Sequence, residues 1–183
     1  MLLLYANNGL SKNAHNCSVT NIFAVNPEAK REYQSKESAK RQENIFSKVH
    51  NHFLLWHGTG PQNILSIMER GLQIQPANVA LTGNLFGDGI YFADSLEKSF
   101  HYAPFQNGYN YILLCEVAVG NVLNMSNLGE HSQPPFGYHS LRYAGTVGPH
   151  FRFNIVNDEG VTIPLGPVIN YPNKKCLFEG KVF

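Results

Sequence analysis

The chain has 183 residues, 43% of them hydrophobic and 15% charged, with a formal net charge of +1 at pH 7. That apolar content fits one globular domain and excludes a disordered or coiled-coil chain, while the small charge gives no basis for strong non-specific attraction to nucleic acid or anionic lipid. Cys17, Cys115 and Cys176 are odd in number and far apart, which argues against a disulfide framework and for a reducing compartment.

In chain order, Met1 to Tyr5 is apolar but too short for a signal peptide or a membrane span, and is expected to be a short buried strand. Residues 18–25 carry the β-branched and aromatic content of a second strand, ending at Pro27. From Glu28 to Val49 the chain is polar, with no Gly or Pro, and predicts an exposed helix or a loop-helix. Its Lys30-Arg31 and Lys40-Arg41 pairs fit either a bipartite nuclear signal or a solvated helix face; spacing alone favours the solvated face.

Phe53 to Trp56 is an apolar strand, and His57-Gly58-Thr59-Gly60 is a turn. Pro61 opens a helix at its favoured first position, with Thr59 or Gly60 as cap. Ile64, Leu65, Ile67 and Met68 make its apolar stripe and Gly71 stops it. Residues 76–89 form a long loop of the kind often used for binding. Residues 89–92 are a short strand, and Asp94 with Glu97 form a capping box for a helix through about Tyr102. Residues 111–119 are a strand, apolar apart from Glu116. Residues 129–150 read as a loop, 151–156 as a strand, Asp158-Glu159-Gly160 as a hairpin and 161–165 as a last strand. Many short strands with few helices imply α+β, two packed and mostly antiparallel sheets.

The residues after Trp56 are the first place where chemistry is expected. A His-Gly pair at a strand end exposes main-chain N–H and C=O beside an imidazole, and Gly lets a flat ligand approach the backbone. An ordinary strand-to-helix turn with a capping His explains the same four residues, and taken alone they slightly favour it. An esterase oxyanion loop requires a Gly-x-Ser-x-Gly elbow, which the chain lacks. It also lacks the Gly-rich fingerprints of dinucleotide and P-loop folds, and its His and Cys show no zinc spacing, so no metal is expected. Ser99 and Tyr102, three apart on the helix, share a face, and Tyr91 precedes them on a strand. Together with the His-Gly turn they suit a planar aromatic amide; the alternative is that both tyrosines only pack the core.

At these residues the sequence resembles the catalytic domain of the poly(ADP-ribose) polymerases, the diphtheria-toxin-like ADP-ribosyltransferases, and most of all their nuclear, DNA-damage-responsive members. The likeness runs through residues 54–60, Gly71-Leu72, Thr82-Gly83, residues 86–94, Lys98-Ser99 and Tyr102. It continues in residues 113–121, His139-Ser140 and residues 160–166, and His15-Asn16 and Ile22-Phe23 also fit. It covers nearly all of residues 1–183, which it makes a single catalytic domain. The resemblance implies transfer of ADP-ribose from NAD to protein acceptors or to a growing polymer, with release of nicotinamide. It implies that His57 binds the adenosine-side ribose and that the main chain of Gly58 holds the nicotinamide carboxamide. Ser99 adds a hydroxyl contact, Tyr102 stacks on the ring and Tyr91 closes its other side. Asn63 and residues 77–88 lie near the adenosine and diphosphate, and Lys98 beside the site. It also implies a nuclear location, with no direct nucleic-acid contact and no membrane attachment.

The resemblance is incomplete at one group. The family's triad ends in a Glu on a strand after the Pro-Leu-Gly segment, and here only 17 residues follow Gly166. The expectation is that the chain lacks its last strands, that this Glu falls beyond Phe183, and that Glu179 has no strand to carry it. Glu116 is read as structural. Without a carboxylate the chain would be an NAD or ADP-ribose-binding module that does not turn over. Gln73 replaces an arginine of close relatives and Asn84 a loop tyrosine, and the helical regulatory domain of the DNA-dependent members is missing from the chain.

Overall fold

The structure, a computed structural model, describes residues 1–10, 18–25, 48–74, 88–125 and 133–182, with side chains of 144 and 173–182 left undescribed. The two basic pairs and the loop 76–87 therefore lie outside the described residues.

The centre of the fold is β1 (His52–Gly58). Its apolar run Phe53-Leu-Leu-Trp56 alternates between two covered faces, as a strand buried on both sides must. Trp56 joins Tyr5, Ala6, Leu96 and Ile163 in one core cluster, and Leu55 joins Phe92, Val117 and Val119 in another. On one edge β1 pairs antiparallel with β3 (Ile112–Ala118) along its whole length, from His52↔Ala118 to Gly58↔Ile112. A strand has only two edges, so its other partners share the second one. β7 (Thr162–Ile163) pairs in parallel at Phe53, and β2 (Ile90–Ala93) antiparallel at Trp56↔Ala93. The sheet thus divides at β1. One arm continues through β7 to β6 (Ile155–Val156). The other continues through β2 to β8 (Val168–Val182), β5 (Ser140–Pro149) and β4 (Val122–Met125). Among the described residues only β1–β7 and β4–β5 are parallel. The fold is α+β and mostly antiparallel.

Among the described residues three α-helices complete it: α1 (Leu2–Asn8), α2 (Pro61–Arg70) and α3 (Leu96–Phe100). The first corrects an expectation. Residues 2–8 are helical, not a strand, and Leu2, Leu3 and Leu4 are exposed while Tyr5 and Ala6 are buried. The reason is tertiary. The Tyr5 ring packs 4.9 Å from Trp56, its hydroxyl donates to the Leu54 carbonyl at 2.8 Å, and the Asn8 amide donates to the Leu165 carbonyl at 2.7 Å. Burial, and next the nearby Asp94 charge, push the Tyr5 phenol well above its ordinary pKa.

Residues 18–25 are exposed and form no strand. The capping box at Asp94 is also absent: the cap of α3 is Ser95, no side chain caps it, and the Glu97 N–H donates to the Gly9 carbonyl at 2.9 Å. The helix ends at Phe100, and Tyr102 follows in a turn whose N–H donates to the Ser99 carbonyl at 3.1 Å. The expected loop at 129–150 yields β5 over its second half, and residues 151–153 form a 3-10 turn. The fifteen-residue β8 is the largest departure, because it carries Glu179. Its Val168–Val182 register pairs Tyr91↔Lys181, Phe92↔Gly180 and Ala93↔Glu179. The expectation that no strand holds this residue is overturned.

Candidate active site

β1, β2 and α3 converge at Gly58. A Cβ on Gly58 would collide with the Ser99 main-chain carbonyl oxygen and lie 3.1 Å from the Tyr102 Cβ. Only glycine permits this approach, so the need lies in packing rather than in the backbone angles. Ser99 is 3% exposed, while Tyr102 is 50% exposed and so keeps half of its surface open to solvent. On the other side, β2 is joined to β1 at Trp56↔Ala93, and two residues earlier in β2 the Tyr91 carbonyl meets Nδ1 of His57. Paired residues and every second residue share a face, so Gly58, Tyr91 and Ala93 belong to one side of the sheet. Tyr91 also packs on the Met125, Leu141 and Tyr143 cluster.

The β1–β2 pairing is confined to Trp56↔Ala93. One residue on, the His57 side chain takes the place of a main-chain donor. Its Nδ1 lies 2.7 Å from the Tyr91 carbonyl oxygen, which only accepts, so Nδ1 carries the proton. Burial lowers the His57 pKa, and the carbonyl contact opposes this only in part. The ring is therefore neutral at pH 7, with Nε2 an acceptor. Its centroid stands 5.6 Å from that of Phe92. Phe92 is a neighbour that reading the sequence missed, although the tyrosine before it was singled out; the strand's two-residue period carries the signal.

Asn63 lies in the first turn of α2, exposed, and its amide donates to the Thr59 hydroxyl at 3.1 Å. Neither Thr59 nor Gly60 caps the helix with a side chain. Gly60 is the cap in extended conformation, Pro61 follows, and Gly71 at φ 80° ends the helix by donating to the Ile67 carbonyl at 2.7 Å. Lys98 precedes Ser99 on α3 and is half-buried. Glu116 is engaged elsewhere, 2.6 Å from Nδ1 of His52 at the far end of β1. The structure thus brings His57, Gly58, Tyr91, Ser99 and Tyr102 together, with Lys98 adjacent and Asn63 one turn further along the chain. Among the described residues there is no group of three or more His, Cys, Asp or Glu placed to hold a metal, and no helix long and apolar enough to cross a membrane.

Comparison with known proteins agrees. The model of the poly(ADP-ribose) polymerase catalytic domain matches residues 2–183. Poly [ADP-ribose] polymerase 1 of Gallus gallus is 34% identical over 168 residues, 90% of this chain and 16% of that protein. Poly [ADP-ribose] polymerase tankyrase of Caenorhabditis elegans is 38% identical over 122 residues, 64% of this chain and 5% of that protein. Poly [ADP-ribose] polymerase 2 of Zea mays is 31% identical over 91% of this chain and 25% of its own length. The chain spans a quarter or less of each of these relatives. It belongs to the poly(ADP-ribose) polymerase catalytic-domain family.

Proposed function

We propose that this chain transfers ADP-ribose from NAD to protein acceptors or to a growing poly(ADP-ribose) chain, that it does so in the nucleus, and that it makes no direct contact with nucleic acid. The observation that carries the reading is the convergence at Gly58: a main-chain edge packed under Ser99 and Tyr102, beside a neutral His57 whose Nδ1 meets the Tyr91 carbonyl. Such a slot fits the carboxamide and ring of nicotinamide. Gly58 supplies an N–H and a C=O, Ser99 a hydroxyl, and the two tyrosines the flat walls. Nε2 of His57 accepts from a ribose hydroxyl. Asn63 and Lys98 flank the rest of the dinucleotide.

The chemistry asks little more. Nicotinamide leaves with the electron pair of its bond to ribose, which cancels its positive charge, so no acid is required. The acceptor's nucleophile then bonds to the ribose carbon and gives up its proton. Catalysis rests on fixing the ring and on stabilising an oxocarbenium-like sugar by orientation and electrostatics. A carboxylate near the ribose hydroxyl completes the set, as in glycoside hydrolysis. Glu179 is the acidic residue of β8, in register with Ala93 and two residues from the partner of Tyr91. That register supports Glu179 as the group that polarises the acceptor.

The test is a thermal shift with nicotinamide, followed by labelling with isotopic NAD. A shift and label in the wild type, with label lost and shift kept in Glu179→Gln, is the expected pattern. No nicotinamide shift in the wild type overturns the whole reading; full labelling by Glu179→Gln overturns only the role of the carboxylate.

A further inference from the structure

The arm of the sheet that runs from β1 through β7 ends at β6, which among the described residues has no strand on its outer edge. On its inner edge β6 pairs with β7 at Ile155↔Ile163 and Val156↔Thr162. Just beyond, the Asn157 N–H donates to the Val161 carbonyl at 3.0 Å. Antiparallel strands alternate hydrogen-bonded and non-hydrogen-bonded pairs, so Ile155 turns its main-chain groups towards β7 and Val156 turns its own outwards. Such an edge is a template for another strand. The side chains along it are apolar and open to solvent: Phe153 is 57% exposed, Ile155 37% and Val156 65%.

Both ends of this edge are fixed, and each carries a charge. Before it, residues 151–153 form a 3-10 turn in which the Arg152 N–H donates to Nδ1 of His150 at 3.3 Å and the Asn154 N–H to the Phe151 carbonyl at 3.1 Å. After it, the Asn157 side chain accepts from the main chain of Glu159 and Val161 at 3.1 and 2.8 Å, which holds the tip that bears Asp158. Arg152 and Asp158 are exposed, and among the described residues neither has an ion pair within the chain. One stands three residues before Ile155 and the other three residues after it.

That symmetry points to the occupant. When two copies pair antiparallel about a two-fold axis, the residue on the axis faces itself, and residues equally far before and after it face each other. With Ile155 on the axis, Arg152 comes to the same end of the pair as Asp158 of the second copy, and this happens twice. The outward Val156 N–H of each copy meets the Asn154 carbonyl of the other. With Val156 on the axis instead, Arg152 meets Gly160 and its charge is unanswered. We propose that the β6 edge pairs with the β6 edge of a second copy of this chain, antiparallel about Ile155. Three apolar side chains and two charge pairs fall short of the roughly 800 Å² per partner of a stable complex, so the dimer is weak and depends on concentration.

The test is sedimentation equilibrium from micromolar to millimolar protein. The wild-type chain is expected to pass from monomer to dimer. Arg152→Asp and Asp158→Arg each put like charges at both ends and are expected to weaken the dimer about tenfold. Mixed in equal amounts, these two variants are expected to pair with each other at close to wild-type strength, because the reversed charges then meet across the axis. Val156→Pro removes the outward N–H and is expected to remain monomeric. The melting temperatures of the charge variants, expected near the wild type at such exposed positions, report that they are folded; should Val156→Pro not fold, the charge series decides alone. A wild type that stays monomeric throughout overturns the proposal. So does a dimer that the single reversals leave intact, or one that mixing them does not restore.

Discussion

Helices α2 and α3 each follow a strand by a short turn and each carries candidate site residues, yet they are held quite differently. α3 is five residues long and buries Leu96 and Ser99 against β1 and β2. α2 is ten residues long, has an apolar stripe, and has no buried residue. The nicotinamide end of the proposed site is thus part of the core, where the shape of a flat amide is set by packing. Among the described residues, the end that carries Asn63 buries no side chain and follows the turn at His57–Gly60. On the proposed function, such a site would recognise one half of its substrate by rigid fit and adapt to the other half.

The sharpest way to break the comparison is at the crowded end. Gly58→Ala drives a methyl group into the Ser99 carbonyl, a backbone atom that no rotamer change can move. Forced overpacking costs about 1–3 kcal/mol, and the slot is displaced as well. Loss of both the nicotinamide shift and NAD labelling, with a lowered melting temperature, is expected. An active Gly58→Ala chain would mean that α3 yields as readily as α2.

A second contrast removes packing without touching the slot. Leu96→Ala empties a side chain that is 8% exposed in the Tyr5–Trp56–Ile163 cluster. The expected loss is about 2–4 kcal/mol in urea unfolding. Because Leu96 lies one turn ahead of Ser99, the nicotinamide shift is expected to weaken in parallel, which dialysis against nicotinamide checks.

These two positions also show what the sequence discloses. The strand–turn–helix from Phe53 to Gly71 is legible because each device is local: alternation in β1, Pro61 at the first helical position, Gly71 at the stop. The proposed site residues follow from the resemblance, whose motifs fall on two such local units. What was not legible depends on partners far along the chain. Met1 to Tyr5 has strand-like composition, but Tyr5 is fixed by Leu54 and Trp56, and the buried hydroxyl contact is compatible with one helical turn against β1. The polar residues of β8 hide a strand because their pairing with β2 and β5, not their pattern, makes it one. Asp94 and Glu97 had the letters of a capping box, but Gly9 claims the Glu97 N–H.

His57 offers a gentler probe of the same end. Its pKa is lowered on folding, so in the range just below the ordinary value of about 6.5 the unfolded chain binds a proton that the folded chain refuses. Stability from this group is full above that value and declines as the pH falls from it towards the folded-state pKa. Urea unfolding at pH 7.5 and 5.5 is expected to show a drop that shrinks in His57→Gln. Protonation of the folded chain begins only as the pH nears the lowered folded-state pKa and removes the Nε2 acceptor, so NAD affinity is expected to fall below that window while nicotinamide affinity changes less. A drop of equal size in His57→Gln assigns the effect to other groups.

The smallest effect is expected at Leu65, and it is the most direct test of the contrast. Leu65 belongs to the same apolar stripe as Ile64 and Met68 and has the composition of a core residue, yet it is 70% exposed. Alanine there removes little buried area and slightly favours helix, so the two contributions offset. Urea unfolding of Leu65→Ala is expected within about 0.5 kcal/mol of the wild type, with the nicotinamide shift unaltered. A loss approaching that of Leu96→Ala would mean that α2 is held as firmly as α3, and would remove the rigid and adaptable halves on which the comparison depends.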